Sequence, residues 1–225
     1  MNSGKLITFE GLDGCGKSTQ LEKVHDWLSS RGYTVLKTRE PGGTKIGQQI
    51  RSILLNPEHK ELQPESELLL YLSDRIQHLQ ETIIPAKKDG KIVLCDRFHD
   101  STVAYQGYGR GLNLSNIESI VEHCINPYAP DLTILLNISP ETVAVRLEQR
   151  QKQTKKNRLD LESLNFFKRT AQGFKALSAA EPERYVCLDG EQKIEVCLLY
   201  TFDAADDLLC VDLGGRRIIK KKKIK

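Results

Sequence analysis

Short apolar runs alternate with longer helix-like segments along most of this 225-residue chain. The runs at 5–10, 33–38, 91–95, 131–137 and 184–188 are mostly β-branched or apolar and are bounded by Gly, Pro or charge. That is the pattern of strands buried on both faces, as in a parallel sheet. Between them, 18–31, 44–55, 64–88, 113–125, 140–151 and 160–180 read as helices. Ser139 ahead of Pro140 marks one helix start, with Ser139 as its cap. Strand and helix in alternation predict an α/β fold of three layers: a five-stranded parallel sheet with helices on both faces. Ligands on such sheets bind at the carboxyl ends of the strands. The segments just past each strand are therefore where chemistry is expected.

The first of these is the most informative. Gly11-Leu-Asp-Gly-Cys-Gly-Lys-Ser18 fits the phosphate-binding pattern G-x-x-x-x-G-K-[ST]. It lies between a predicted strand and a predicted helix, the context in which this pattern holds a nucleotide. Glycines let successive backbone N–H groups converge on one anion, and the helix start adds free donors and a positive dipole end. Lys17 is placed to reach the β- and γ-phosphates, Ser18 to hold Mg²⁺, and Thr19 comes next on the helix. Cys15 reads as a small spacer.

Composition narrows the setting. The chain reads as one domain, with 39% apolar and 28% charged residues. No apolar signal region opens it, and no run approaches the ~18 residues of a membrane span. Six cysteines without paired metal spacing read as reduced thiols of a cytosol-like compartment. The net charge of +3 comes from residues 197–225, with seven Lys/Arg and four Asp. The main body is neutral, so the overall charge does not argue for nucleic acid.

Four further segments could carry chemistry. Asp96-Arg97 closes a strand beside the phosphate loop, where a carboxylate assists Mg²⁺ and a guanidinium fork suits a phosphate. Arg39 ends another strand, and Arg51 on the next helix could converge on the same anion. Tyr71 and Arg75 lie four apart on one helix face; spacing alone reads as a core tyrosine with a surface arginine, and such a pair could also stack on a base and donate to its carbonyl. Ser101 to Gly111 reads as a glycine-rich loop with Thr102, Tyr105 and Gln106 at one mouth. Residues 146–160, which include Arg146, Arg150 and Arg158, form a basic stretch that reads either as a solvated surface or as a lid over a polyphosphate.

Together these elements resemble the thymidylate kinase family of P-loop nucleoside monophosphate kinases. The likeness rests on Phe9 to Thr19, Thr38 to Gly43, Asp74-Arg75, Asp96-Arg97, Ala104 to Gly107, and Arg158 to Glu162 with Phe166-Phe167. It runs from about residue 5 to 196. It implies a P-loop NTPase-type fold with a basic lid, and transfer of the γ-phosphoryl group of ATP to dTMP on the route to dTTP, with Mg²⁺ as cofactor. It implies that Arg39, Arg51 and Arg97 hold the monophosphate, that Tyr71 stacks on thymine and that Arg75 bonds its carbonyl. Thr102 and Gln106 would face the base edge, Tyr105 would crowd the sugar 2′ position, and Asp13 would approach the 3′-hydroxyl. Gly11, Leu12, Asp13, Gly14, Cys15, Gly16, Lys17, Ser18, Thr19 and Arg150 would serve ATP, with Ser18 and Asp96 at the metal.

No arginine stands between Gly11 and Gly16, so the resemblance assigns the transferring phosphoryl to the lid, with Arg158 first. Catalysis would then rest on Lys17, Arg97, Arg158 and Asp13. A homodimer in the cytoplasm is implied as well. The alternatives are another P-loop nucleotide or nucleoside kinase, or a nucleotide-binding module without turnover. The family pattern stops near 196. Residues 197–225 read as a foreign, non-native or disordered basic tail in place of the family's closing helix.

Overall fold

The computed structural model describes residues 4–151 and 156–210. Five strands form one sheet: β1 (Leu6–Glu10), β2 (Val35–Arg39), β3 (Ile92–Asp96), β4 (Leu132–Asn137) and β5 (Tyr185–Asp189). Their order is β2-β3-β1-β4-β5, and every neighbouring pair is parallel. The helices are α1 (Lys17–Ser30), α2 (Lys45–Leu55), α3 (Pro64–His78), α4 (Ile84–Lys88), α5 (His99–Thr102), α6 (Leu114–Ile125), α7 (Pro140–Gln151), α8 (Leu164–Ala180) and α9 (Ile194–Cys210). The α/β architecture expected from the alternation is the one found.

Alternate residues of the central strands feed two apolar clusters, as the two-residue period of a strand requires. Ile7 and Phe9 of β1 and Leu94 of β3 pack with Leu21, Val24 and Leu28 of α1. Leu6 of β1 and Val93 and Cys95 of β3 pack with Leu68 and Leu72 of α3 and Ile117 and Val121 of α6. Side-chain caps fix several helix starts. Thr44 Oγ1 accepts from Gly47 N at 2.9 Å, Ser163 Oγ from Phe166 N at 3.2 Å, and Ser139 Oγ from Thr142 N at 3.2 Å.

Three segments differ from the reading of the sequence. The expected helix at 64–88 is continuous, but a π-helical segment, Leu79–Ile83, joins α3 to α4. The expected loop at 101–111 is helical: α5 runs into a second π-helical segment, Val103–Gly109. Its glycines permit close packing, since a Cβ on Gly109 would lie 2.8 Å from a ring carbon of Phe166.

The third difference is at the end of the chain. The expected boundary at 196 falls inside α9, which packs against α1, β4 and β5. Cys197, Leu198, Thr201 and Ala205 are buried, and Phe202 stacks on Trp27 with ring centroids 4.6 Å apart. The positions 197, 198, 201, 202 and 205 have helical spacing, so one face of this segment meets the sheet. Residues 197–210 therefore occupy the place of a closing helix. The remainder of the expected tail, 211–225, lies outside the described residues. Of the expected lid, Arg146 to Gln151 complete α7, residues 152–155 lie outside the described residues, and a 3₁₀ turn spans Leu159–Leu161.

Candidate active site

The central strands β1 and β3 end side by side, and the turns that leave them build the site. After β1 the chain turns through Gly11 and Gly16, both at positive φ (134° and 103°). A Cβ on Gly11 would lie 2.5 Å from the Leu136 carbonyl oxygen, so only glycine fits this turn. Lys17 begins α1 and is buried, with its Nζ donating to the carbonyls of Gly11 at 3.1 Å and Leu12 at 2.9 Å. Ser18 Oγ donates to Asp96 Oδ2 at 2.9 Å. A hydroxyl and a carboxylate so close are hard oxygen donors of the kind Mg²⁺ takes.

After β3, Arg97 stands at φ 72°, an uncommon conformation for a non-glycine residue. Its backbone is held on both sides: its N–H donates to Phe9 O at 3.0 Å, and Cys95 Sγ donates to its carbonyl at 3.1 Å. This turn aims the guanidinium at the phosphate loop. The fork donates to Gly11 O, Ser101 Oγ and Asp13 Oδ1 at 3.0 Å each, and to the Tyr105 hydroxyl at 3.1 Å. Tyr105 in turn donates to Asp13 Oδ2 at 3.0 Å. Burial opposes ionisation of Asp13, but the charges of Arg97 and Lys17 and these hydrogen bonds outweigh it and take its pKa down to about 2.

One cavity of about 380 Å³ runs from the phosphate loop to α3. Asp13, Gly14, Gly16, Lys17, Ser18 and Thr19 line one end, with Asp96. Tyr71, Arg75, Thr102 and Gln106 line the other. Arg39, Arg51, Arg97 and Tyr105 lie along it. Burial and the neighbouring charges of Arg39 and Arg97 depress the Arg51 pKa, as expected where like charges converge on a place meant for an anion. Arg75 is almost wholly buried and fixed by three bonds: to Glu40 Oε2 at 2.8 Å, Thr102 Oγ1 at 2.8 Å and Phe98 O at 2.9 Å. A guanidinium carries five N–H groups, so donors remain for a ligand.

These placements coincide with a sequence match. The sequence model of the family described as Thymidylate kinase matches residues 9–198. The chain belongs to the thymidylate kinase family. It is 44% identical over 204 residues to a thymidylate kinase of Geobacillus sp. (strain WCH70), covering 91% of this chain and 97% of that one. It is 41% identical over 212 residues to a thymidylate kinase of Pelotomaculum thermopropionicum, covering 94% and 97%. Among solved structures, the crystal structure of thymidylate kinase from Ehrlichia chaffeensis superposes with a TM-score of 0.73 at 31% identity, covering 91% of this chain and 99% of that one.

Of the residues expected in a thymidylate kinase site, Gly11, Leu12 and Cys15 shape the loop behind the cavity rather than line it. The side chain of Arg150 lies outside the described residues. Arg158 sits elsewhere in this structure. Its guanidinium is not brought to the phosphate loop. It is buried, donating from Nε to Leu54 O at 2.9 Å and pairing with the Glu67 carboxylate. The buried Glu67 carboxylate supplies the counter-charge that a buried guanidinium needs. Among the described arginines of the expected lid, Arg146 is the one that reaches the loop, donating to Gly14 O and Gly190 O at 3.1 Å each.

Several site residues were missed by the sequence reading. Glu40, Phe98, Ser101, Asn157 and Leu159 all line the cavity. Glu10, buried on β1, accepts from Phe98 N at 2.7 Å and from Ser101 Oγ at 2.6 Å, supporting the Arg97 turn from below. Burial and the Asp100 charge push its carboxyl up to about 7. Only their place inside the Phe9–Thr19 and Thr38–Gly43 segments could have flagged Glu10 and Glu40.

Asp74 adds a pH dependence. Its Oδ1 accepts from Gly42 N at 2.9 Å, while its buried Oδ2 has no hydrogen-bond partner among the described residues. Burial and the Glu40 charge push its carboxyl from 3.8 up to about 6. The folded chain thus holds this proton more tightly than the unfolded one. The resulting stability is complete below pH 3.8 and is lost as pH rises through about 6. Asp74→Asn, which cannot ionise, is expected to gain on the parent between pH 5 and pH 8, by about 1.4 kcal/mol, roughly one pK unit. Denaturant unfolding at both pH values checks this, and a difference that does not change with pH would refute it.

Proposed function

We propose that the chain transfers the γ-phosphoryl group of ATP to dTMP, giving dTDP and ADP. The observation that carries this is a continuous cavity with a phosphate loop at one end, Tyr71, Arg75 and Gln106 at the other, and Arg97 between. The nucleophile is a phosphate oxygen, already ionised at neutral pH, so no strong general base is required. The obstacle is the approach of two anions, which positioning and charge neutralisation relieve.

Lys17 and the N–H groups of the loop take the donor phosphates. Arg97 holds the acceptor phosphate, oriented by Asp13, Ser101 and Tyr105, and Arg39 and Arg51 add charge beside it. Tyr71 stacks on the base and Arg75 donates to its carbonyl. Ser18 and Asp96 would hold Mg²⁺, which when bound neutralises charge on the donor phosphates. Arg158 supports the acceptor end of the site through its pair with Glu67, behind Gln106. Tyr105, packed edge-on against Phe166 and Phe174, is rigid enough to exclude a 2′-hydroxyl.

This reading places the chain in the cytoplasm with its nucleotides. Among the described residues no helix is long and apolar enough to cross a membrane. A homodimer is supported by exposed apolar side chains on adjoining helices, Leu69 and Ile76 of α3, Ile46 and Ile53 of α2, and Ile120 of α6. The test of the activity is ADP release with ATP, Mg²⁺ and separate monophosphates. Rapid release with dTMP, weak with dUMP and barely measurable with dCMP is expected. No acceptor-dependent ADP with any of them would reject the reading.

A further inference from the structure

Glu67 lies on α3, one turn before Tyr71, and does not line the cavity. Its carboxylate is fully buried yet gathers three side chains. Oε1 accepts from Gln106 Nε2 at 2.7 Å and from Arg110 Nε at 3.2 Å. Oε2 accepts from Arg110 at 3.0 Å and from Arg158. Burial alone would raise its pKa, but Arg110, Gln106 and Arg158 together hold it below the ordinary carboxylate value. An ionised carboxylate accepts hydrogen bonds and cannot donate them. Gln106 must therefore turn its NH₂ group toward Glu67. No donor among the described residues meets the other amide atom, Oε1, which is left for the cavity that Gln106 lines.

We propose that Glu67 is a positioning residue for base selection: by fixing the Gln106 amide, it makes the cavity accept a ring N–H and reject a ring nitrogen acceptor. This rests on the reading of Gln106 as facing the base edge. Thymine presents an N3–H beside a carbonyl, which match the Gln106 oxygen and the Arg75 donors. Cytosine presents a bare N3 beside an amino group, the opposite at both atoms. A cavity of fixed donors and acceptors rejects such a base because polar groups are left unpaired. Glu67 thus acts through Gln106, without touching the substrate.

The test is Glu67→Gln, read as the ratio of kcat/KM for dTMP to that for dCMP. An amide at 67 can donate as well as accept, so Gln106 can turn over. The ratio is expected to fall by about tenfold or more. Loosening of Arg110 and Arg158 would slow both acceptors together and cancel in the ratio. Glu67→Asp keeps an ionised acceptor and should retain most of the parental ratio. A parental ratio in Glu67→Gln would overturn the proposal. Should that variant fail to fold, proton exchange in the unaltered, ligand-free chain decides. At least one Gln106 Nε2 proton is expected to be protected, and free exchange of both would overturn it. A parent chain with no preference for dTMP would instead overturn the thymine reading itself.

Discussion

Arg97→Ala is expected to lower kcat/KM with dTMP by roughly 10³-fold or more, the scale on which losing preorganised charge stabilisation in a site is felt. No other residue of the site is placed as this one is. Its guanidinium touches the phosphate loop at Gly11, the carboxylate of Asp13 and the hydroxyls of Ser101 and Tyr105 at once. It is aimed there by a backbone at φ 72°, a strained state held by bonds from Phe9 and Cys95. Lysine cannot substitute, because a single ammonium reproduces neither the fork nor its reach to four partners. Arg97→Lys is therefore expected to recover little of the lost rate. Steady-state kinetics on both variants, with folding monitored by circular dichroism, is the check. A loss under tenfold in Arg97→Ala would remove Arg97 from the transferring phosphate.

The second large effect concerns the end of the chain. Ending the protein at Val196 is expected to abolish cooperative folding at 37 °C. The cut removes most of α9, with buried Cys197, Leu198, Thr201 and Ala205 and the Phe202 ring against Trp27. Burial of apolar side chains of this size stabilises by roughly 1.5–3 kcal/mol each. Several together rival the roughly 5–15 kcal/mol of a whole domain. The cut would also expose apolar surface of α1 and β5. Trp27 is the sole tryptophan of the chain, so its fluorescence reports this contact directly. A shortened chain that melts with the parent would make α9 dispensable.

How much of this was legible in the sequence varies from element to element. The five strands were legible because buried runs bounded by Gly, Pro or charge have few other uses. Helix α9 was not foreseen, because an unusual composition near the basic terminus distracted from a plain periodicity in 197–205. The helical course of 99–109 was hidden because Gly107 and Gly109 read as loop residues. They are glycines so that neighbouring side chains can pack close against them. In the site, the phosphate loop, Asp96-Arg97 and Tyr71 with Arg75 could be named in advance, because local spacing fixes where such groups sit. Arg158 could not be placed, since its partner Glu67 lies 91 residues away. Glu40 was passed over for the same reason: its bond to Arg75 spans 35 residues.

The sequence by itself thus determined the sheet, the glycine turn and the class of ligand it cradles. Those features rest on local chemistry: backbone freedom at glycine, burial of apolar runs, and charge at strand ends. Only the tertiary structure decided which way each long polar side chain turns. An arginine can swing to any buried carboxylate within reach, and which one it meets depends on elements distant in the chain. That choice turned Arg97 toward the phosphate loop and Arg158 away from it, and set Glu67 behind Gln106.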